Sequence, residues 1–386
     1  MRGMRIGRWA AAGLAVVALA ACQPGTEATP DASTSKVNAT HTAHSSRSLP
    51  AEAGVRWSAE LPGYLFHHAV TAGTRVFATA GSYNEGGTGY SSQVVALRKT
   101  DGEVMWTAAG SDSFRLWVAA TADAVYVIDA DGVLRRLDPA TGRQVWIRDL
   151  IGTAWSAPVP FGDQLYVATN TTKGLITAID PRTGRTRWAK EVDGSSGTPP
   201  PSVRDDGVYV AGACGDLTKL RRSNGAVLWH HDTGCSGSIV AAPVVAGNRV
   251  WWTDGNNGPK PIFDAQTGKQ TGWLPSQGCT PIVTDAQVIT SGANLEARDP
   301  ATDRLLWSRS IEGERAYGCV LSGGNRLYLL NRAGRLVTID RATGRTVSRR
   351  QLPLDLAEVT SSPQADTNIG GGLALYPVGD RLVAVG

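Results

Sequence analysis

Leu134-Arg135-Arg136-Leu137-Asp138-Pro139-Ala140-Thr141-Gly142-Arg143-Gln144-Val145-Trp146 decides the fold, because the chain repeats it. The same pattern occupies residues 94–106 and 176–188, and weaker copies end at Trp229, at Trp273 with one residue inserted, and at Trp307 with Asp303 replacing the glycine. A last copy centres on Gly344 and has Ser348 where tryptophan would stand. The turn positions 102, 142, 184, 225, 268, 303 and 344 lie 40, 42, 41, 43, 35 and 41 residues apart. A period of this length marks an array of like units, each burying its apolar face against the next.

Each unit reads as four short strands. Residues 157–160 lead one unit, residues 164–169 and 174–180 follow with β-branched and aromatic residues in alternation, and the tryptophan strand closes it. The Thr-Gly pair supplies a residue tolerant of positive φ, so a tight hairpin joins the third and fourth strands. The tryptophan then packs between neighbouring sheets, where its apolar area stabilises most. Four strands in about 41 residues without helical periodicity predict propeller blades. Residues 55–386 hold eight such units, with seven blades as the alternative. Residues 373–385 copy only the first two strands of a unit and residues 55–58 copy the last, so the eighth blade is expected to close the ring with N- and C-terminal strands together.

The first 54 residues carry a different signal. Arg2, Arg5 and Arg8 precede an uncharged run from Trp9 to Ala21, too short for a membrane span, which needs about 20 residues. It ends in Leu19-Ala20-Ala21-Cys22. Residues 1–21 therefore read as a signal peptide, and the small-residue site before the cysteine resembles the bacterial lipobox, whose thiol is acylated after cleavage. Cys22 is the expected lipid anchor, holding the protein outside the cytoplasm on the cell membrane. Residues 22–54, rich in Ser, Thr, Ala, Pro and His, are too poor in apolar side chains to offset their ordering entropy and read as a flexible tether, with His41 and His44 in solvent. Asn38-Ala39-Thr40 matches a glycosylation sequon that the lipobox context makes accidental.

Charge narrows the partners. The chain has 38 Lys and Arg against 34 Asp and Glu, and removal of the three signal-peptide arginines leaves 35 against 34. A nearly neutral protein lacks the basic field with which nucleic-acid binders displace counterions.

The motif Leu-Asp-Pro-Ala-Thr-Gly-Arg-x-x-Trp resembles the repeat of pyrroloquinoline-quinone-type propellers, over residues 55–386. Quinoprotein dehydrogenases, outer-membrane assembly lipoproteins of the B type and extracellular sensor domains share that repeat. The lipid anchor with a bare propeller looks most like the assembly lipoprotein, and propellers host many unrelated activities. Resemblance to the enzymes would imply an adjacent cysteine pair over the quinone and a calcium held by acidic and amide side chains in the central funnel. None of Cys214, Cys235, Cys279 and Cys319 adjoins another, and no zinc-type cysteine spacing occurs. Asp129-Ala130-Asp131-Gly132 lacks the later ligands of a calcium loop and reads as a hairpin turn. His67-His68 and His230-His231 fall on strands, where neighbours point to opposite faces. These residues predict no catalytic group, no metal and no cofactor.

A binding role follows from architecture. The second-to-third-strand loops and the loops between blades share one face, which gathers Tyr64, Phe66, His67, Tyr83, Tyr90, Trp117, Trp155, Arg315 and Tyr317. Aromatics with arginine are what interfaces enrich. The glycine-rich loop 81–93 is the best single candidate. Disulfides are expected between Cys214 and Cys235 and between Cys279 and Cys319, with other pairings open. The expected function is a non-catalytic, membrane-tethered scaffold that binds an envelope protein or cell-surface ligand; a small-molecule sensor and a quinoprotein-type oxidoreductase are the alternatives.

Overall fold

The structure, a computed structural model, describes residues 32–386 except 84–88, 114, 193–197, 213–215, 233–240, 254–258, 276–278, 315 and 357–365, and describes Tyr83 by its backbone alone. Among the described residues there are strands and no helix. Eight antiparallel sheets follow one another along the chain, each with its first strand innermost. The inner strands of blades one to eight are Leu65–Ala72, Leu116–Ala120, Val159–Phe161, Ser202–Arg204, Val244–Ala246, Ile282–Val283, Leu321–Gly323 and Asn368–Gly370. In blade eight the outermost strand is the N-terminal Val55–Glu60, paired with Arg381–Val385 from Val55↔Val385 to Glu60↔Arg381. The ring is thus eight-bladed and closed by the two ends of the propeller, as the partial repeats predict.

Alternation along the inner strands gives each blade two apolar faces, and neighbouring blades share a core. Val70, Phe77 and Val94 of blade one meet Val118, Val125 and Val127 of blade two, all buried. At the rim, outer-strand tryptophans seal the seams. Trp57, Trp106, Trp146, Trp188, Trp229 and Trp307 lie against Gly102, Gly142, Gly184, Gly225, Gly268 and Gly344 of the following blade. Each indole also donates across the seam, as Trp106 Nε1 does to Pro139 O at 3.0 Å. Two seams depart from this. Blade seven has Ser348 opposite Thr338, where the tryptophan would stand. The seam between blades five and six is altered as well. Gly272 takes the tryptophan's register opposite Ile262 in blade five, Trp273 turns outward at 59% exposure, and Asp303 replaces the turn glycine in blade six. Asp303 is held by Arg249 at 2.8 Å instead.

The hairpins joining first to second and third to fourth strands lie on one face, here the turn face. Second-to-third connections and the links between blades lie on the other, the loop face.

The expectation of a solvated tether over residues 22–54 does not hold for its described part. Residues 32–48 fold into the central channel and touch all eight blades. Backbone amides of inner strands or their ends donate to its carbonyls: Thr71 to Ala32 (3.1 Å), Ala120 to Ser33 (2.8 Å), Val203 to Ala39 (2.7 Å), Val245 to Thr40 (3.1 Å), Val283 to Thr42 (2.9 Å) and Gly324 to Ser45 (2.9 Å). Thr34 Oγ1 donates to Pro158 O of blade three, and Asn368 Nδ2 of blade eight donates to Thr34 O. His44 and Ser45 add a short parallel strand to blade seven. His41 is fully buried and His44 half-buried, correcting their expected solvent placement. The physical reason lies in the ring: innermost strands are edge strands, and their free N–H groups face the axis and require acceptors. Small side chains fit that narrow space and leave their carbonyls available.

Candidate partner-binding face

At the axis, the segment is shaped by its own side chains. Asn38 Oδ1 accepts from the amides of Thr40 and Thr42, both at 3.2 Å, and Asn38 Nδ2 donates to Thr42 Oγ1 at 2.6 Å. The sequon asparagine is therefore an internal brace. Ala32, Lys36, Val37, His41 and Ala43 have φ between 52° and 81°, a region that costs non-glycine residues roughly 1 kcal/mol each. The hydrogen bonds from the ring fix that conformation. One ring nitrogen of His41 lies 3.0 Å from Ser35 O and the other 3.2 Å from Pro201 O. Burial lowers its pKa to about 4 against the opposing pull of those two carbonyls, so the imidazole is neutral at pH 7. His44 and His67 are held at about 4, and His68 is lowered too, each chiefly by burial.

This occupied axis does not fit a quinone with calcium. The central space is filled by backbone from the same chain, and among the described residues no group of three or more His, Cys, Asp or Glu side chains is placed to hold an ion. Asp129 Oδ1 accepts from Val133 N at 2.9 Å, as in a hairpin turn.

On the loop face, the residues singled out from sequence divide. Trp117 (7% exposed) and Tyr317 (2%) are core residues, as is Phe66. Tyr317 donates its hydroxyl to Pro377 O at 2.5 Å. His67 and Tyr64 are half-buried. Tyr90 is 44% exposed and Trp155 65% exposed. Arg315, Cys214, Cys235, Cys22, the Tyr83 side chain and the centre of loop 81–93 lie outside the described residues. Cys279 and Cys319 form a disulfide that joins the entries to the inner strands of blades six and seven, with Cα atoms 5.9 Å apart.

Sequence reading did not single out Ile151, the most exposed large apolar residue of the described chain at 73%. It shares with Trp155 the link between blades two and three, and that link is pinned from both sides. Leu150 N donates to Gly132 O and Ala154 N to Ala130 O, both at 3.0 Å. Thr153 and Asn170 exchange backbone hydrogen bonds at 2.8 and 2.9 Å, and Thr169 Oγ1 donates to Ile151 O at 2.7 Å. Two large apolar groups are thereby presented to water on a backbone already ordered, which reduces the entropy lost on binding. A faint signal existed in the sequence: Ile151 and Trp155 are two large apolar residues in the connection between Asp149 and Pro158, beside Gly152, and have no strand face to serve.

The turn face offers charge rather than apolar surface. Its groove between blades two and three contains Asp123, Asp163, Asp180, Arg136, Arg182 and Arg187. Arg187 ties Asp163 at 2.5 Å to Asp180 at 2.9 Å, so these charges are matched within the groove.

Fold and repeat together define a propeller of the pyrroloquinoline-quinone type. The family described as outer membrane protein assembly factor BamB matches residues 47–195, 130–237, 172–290 and 291–370, and the chain belongs to that family. No curated protein matches it. Among solved structures it is similar to BamB from Moraxella catarrhalis (18% identity, TM-score 0.61, 86% of this chain and 97% of that one). It is also similar to quinohemoprotein alcohol dehydrogenase from Comamonas testosteroni (17% identity, TM-score 0.66, 92% and 80%) and to the computationally designed Ika8 protein (15%, 0.67, 86% and 99%). At these identities the likeness is one of fold.

Proposed function

We propose that this protein is a non-catalytic scaffold of the bacterial envelope, lipid-anchored through Cys22, that engages a protein partner with its loop face around Ile151 and Trp155. The observation that carries the reading is the pinned link 150–155, which holds both side chains largely in solvent, the Trp155 indole oriented by its Nε1 donating to Thr153 Oγ1 at 3.3 Å. Family membership supports a role in assembling envelope proteins, since the family takes its description from an outer membrane assembly factor. The filled axis weighs against the quinoprotein alternative.

A photo-crosslinking residue at position 155 in living cells tests this, with one at Ala140 on the turn face as reference. The expected result is one discrete adduct with an envelope protein from position 155, absent from position 140 and lost when Ile151→Ser is added. Equal labelling from both positions would remove the loop-face assignment. A visible quinone absorbance co-purifying with the chain would favour the oxidoreductase instead.

A further inference from the structure

In four sealed blades the outer-strand tryptophan has an aromatic neighbour on the second strand. Ring centroids are 5.8 Å apart for Phe77 and Trp106, 6.3 Å for Tyr126 and Trp146, 6.0 Å for Tyr166 and Trp188, and 6.1 Å for Tyr209 and Trp229. Blade five keeps the first member of this pair and lacks the second. Trp251 stands opposite Ile262 and Ile262 opposite Gly272, so a glycine occupies the place of the outer indole. Trp251 is buried, and its Nε1–H has no acceptor among the described residues.

The two seams without a docked tryptophan are filled differently. Beside blade seven, Leu49 and Ala53 pack with Leu352, Tyr376 and Val378, and Leu49 N donates to the Tyr328 hydroxyl at 2.8 Å. Between blades five and six the Asp303 carboxylate lies 3.3 Å from where a Cβ on Gly272 would stand, and with Arg249 it closes the rim. Toward the turn face a groove of about 320 Å³ stays open, lined among others by Ala246, Trp251, Val283, Pro300 and Ala301. Its volume is within the roughly 300–1,000 Å³ of small-molecule sites. Apolar walls make it the exception to the charged turn face. Arg249 is engaged by Asp303, and the exposed Asp285 also borders the groove, so its charges call for no anion. In the sealed seams the indole donates to the carbonyl three residues before the turn glycine, as to Pro139, Pro181 and Arg222. With Asp303 in the glycine's place, that residue is Pro300, which lines the groove.

We propose that this groove is a docking site for an aromatic side chain of a partner polypeptide, tryptophan fitting best, entering from the turn face. The ring completes the pair with Trp251, and an indole N–H has the Pro300 carbonyl as its acceptor. Peptide carbonyls flanking the ring bring the acceptor that Trp251 lacks, which a bare hydrocarbon does not. The outer strand of blade five does not supply the ring itself, because Trp273 turns outward at 59% exposure and the ion pair closes the rim. The site lies on the face opposite Ile151 and Trp155 and is independent of them.

The test titrates the full chain with the capped peptide acetyl-Gly-Gly-Trp-Gly-Gly-amide and follows the indole N–H resonance of Trp251, assigned by its loss in Trp251→Phe. A saturable shift is expected, with the leucine version of the peptide binding about tenfold more weakly. Ala246→Leu narrows the groove, and Gly272→Trp combined with Asp303→Gly rebuilds the sealed seam. Both are expected to abolish binding, and the rebuilt seam to raise the melting temperature. No binding to the wild-type chain, or binding undiminished in either variant, overturns the site. Equal binding of the leucine peptide overturns its aromatic character. Binding of N-acetyl-tryptophan amide without the peptide would assign the groove to a free aromatic compound, and self-association lost in Trp273→Ala would assign it to a second copy of this chain; either result overturns the partner polypeptide.

Discussion

Gly142 stands at φ +71°, and a Cβ built there would lie 2.6 Å from Trp106 Cε3. A side chain at this turn meets both a left-handed backbone and an indole sealed to the seam by its hydrogen bond to Pro139 O. Gly142→Ala is expected to cost about 1–3 kcal/mol, read as a lowered urea midpoint with unchanged slope. Gly247, at φ +53° with nothing within 4 Å of its Cβ position, is the reference, and its alanine variant should cost only the backbone preference, roughly 1 kcal/mol. The seam between blades five and six extends the argument. Because Gly272 occupies the docking register and Trp273 faces water, Trp273→Ala should change stability by less than about 0.5 kcal/mol, whereas Trp146→Ala should cost about 3 kcal/mol. Thermal unfolding of the pair decides it: equal losses would mean that Trp273 docks after all. At this scale the sequence was readable where a residue type has one physical use. Glycine and tryptophan at fixed offsets announced the seam, and Asp303 with an inserted residue announced its exception. Trp117 was misplaced because alternation along an inner strand does not reveal which aromatic points between blades and which points out, and Tyr317 because the link before Leu321–Gly323 has no alternation to read.

Among the elements, the channel segment was the least legible. Its Ser, Thr, Ala and His composition is that of a solvated linker, and no apolar period marks it. What orders it lies elsewhere, in backbone amides of strands and strand ends as distant in sequence as Gly324 from Ser45 and in the side-chain amide of Asn368, which a local reading cannot see. Its histidines, together with His67 and His68 on the inner strand of blade one, make a consequence measurable. The pKa values of His41, His44 and His67 fall from 6.5 to about 4 in the folded protein, and His68 is lowered as well, burial being the largest cause in each. A folded-state pKa below the unfolded value means that the unfolded chain binds more protons in between. This contribution to stability is complete above about pH 6.5 and is lost as pH falls toward about 4. Each such histidine can remove up to about 1.4 kcal/mol per pH unit in that window. Melting temperature is expected to fall through that interval, and less steeply in His41→Gln. An unchanged slope in that variant would show that His41 titrates normally and is not enclosed.

For the molecule as a whole, the repeat spacing and the partial copies at residues 55–58 and 373–385 announced both the blade count and the closure, because a ring must pair its first and last strands. They did not announce that the ring is filled. Closure and filling make separable contributions, and two shortened chains distinguish them. A chain beginning at Leu49 lacks residues 32–48 but keeps Val55–Glu60, hence the Arg381–Val385 pairing and the Trp57–Gly102 seam. Its channel amides would face water, which can accept their hydrogen bonds, so the ring should remain folded and monomeric with a lower melting temperature. The amides of Thr71, Ala120, Val203, Val245, Val283 and Gly324 should exchange with deuterium much faster than in the longer chain, since the carbonyls that cover them are gone. A chain beginning at Leu61 loses the closing strand too. Val383 and Arg381 then expose an unpaired edge, Gly102 loses the indole that covers it, and two blades face each other across an open seam. Such an edge templates pairing with another chain, so association in sedimentation is expected where the Leu49 chain remains monomeric. If both chains were monomeric and equally stable, the closing strand would contribute little. If both associated, residues 32–48 would be part of the closure itself, and the channel segment would have to be regarded as a ninth structural unit of the ring rather than as its occupant.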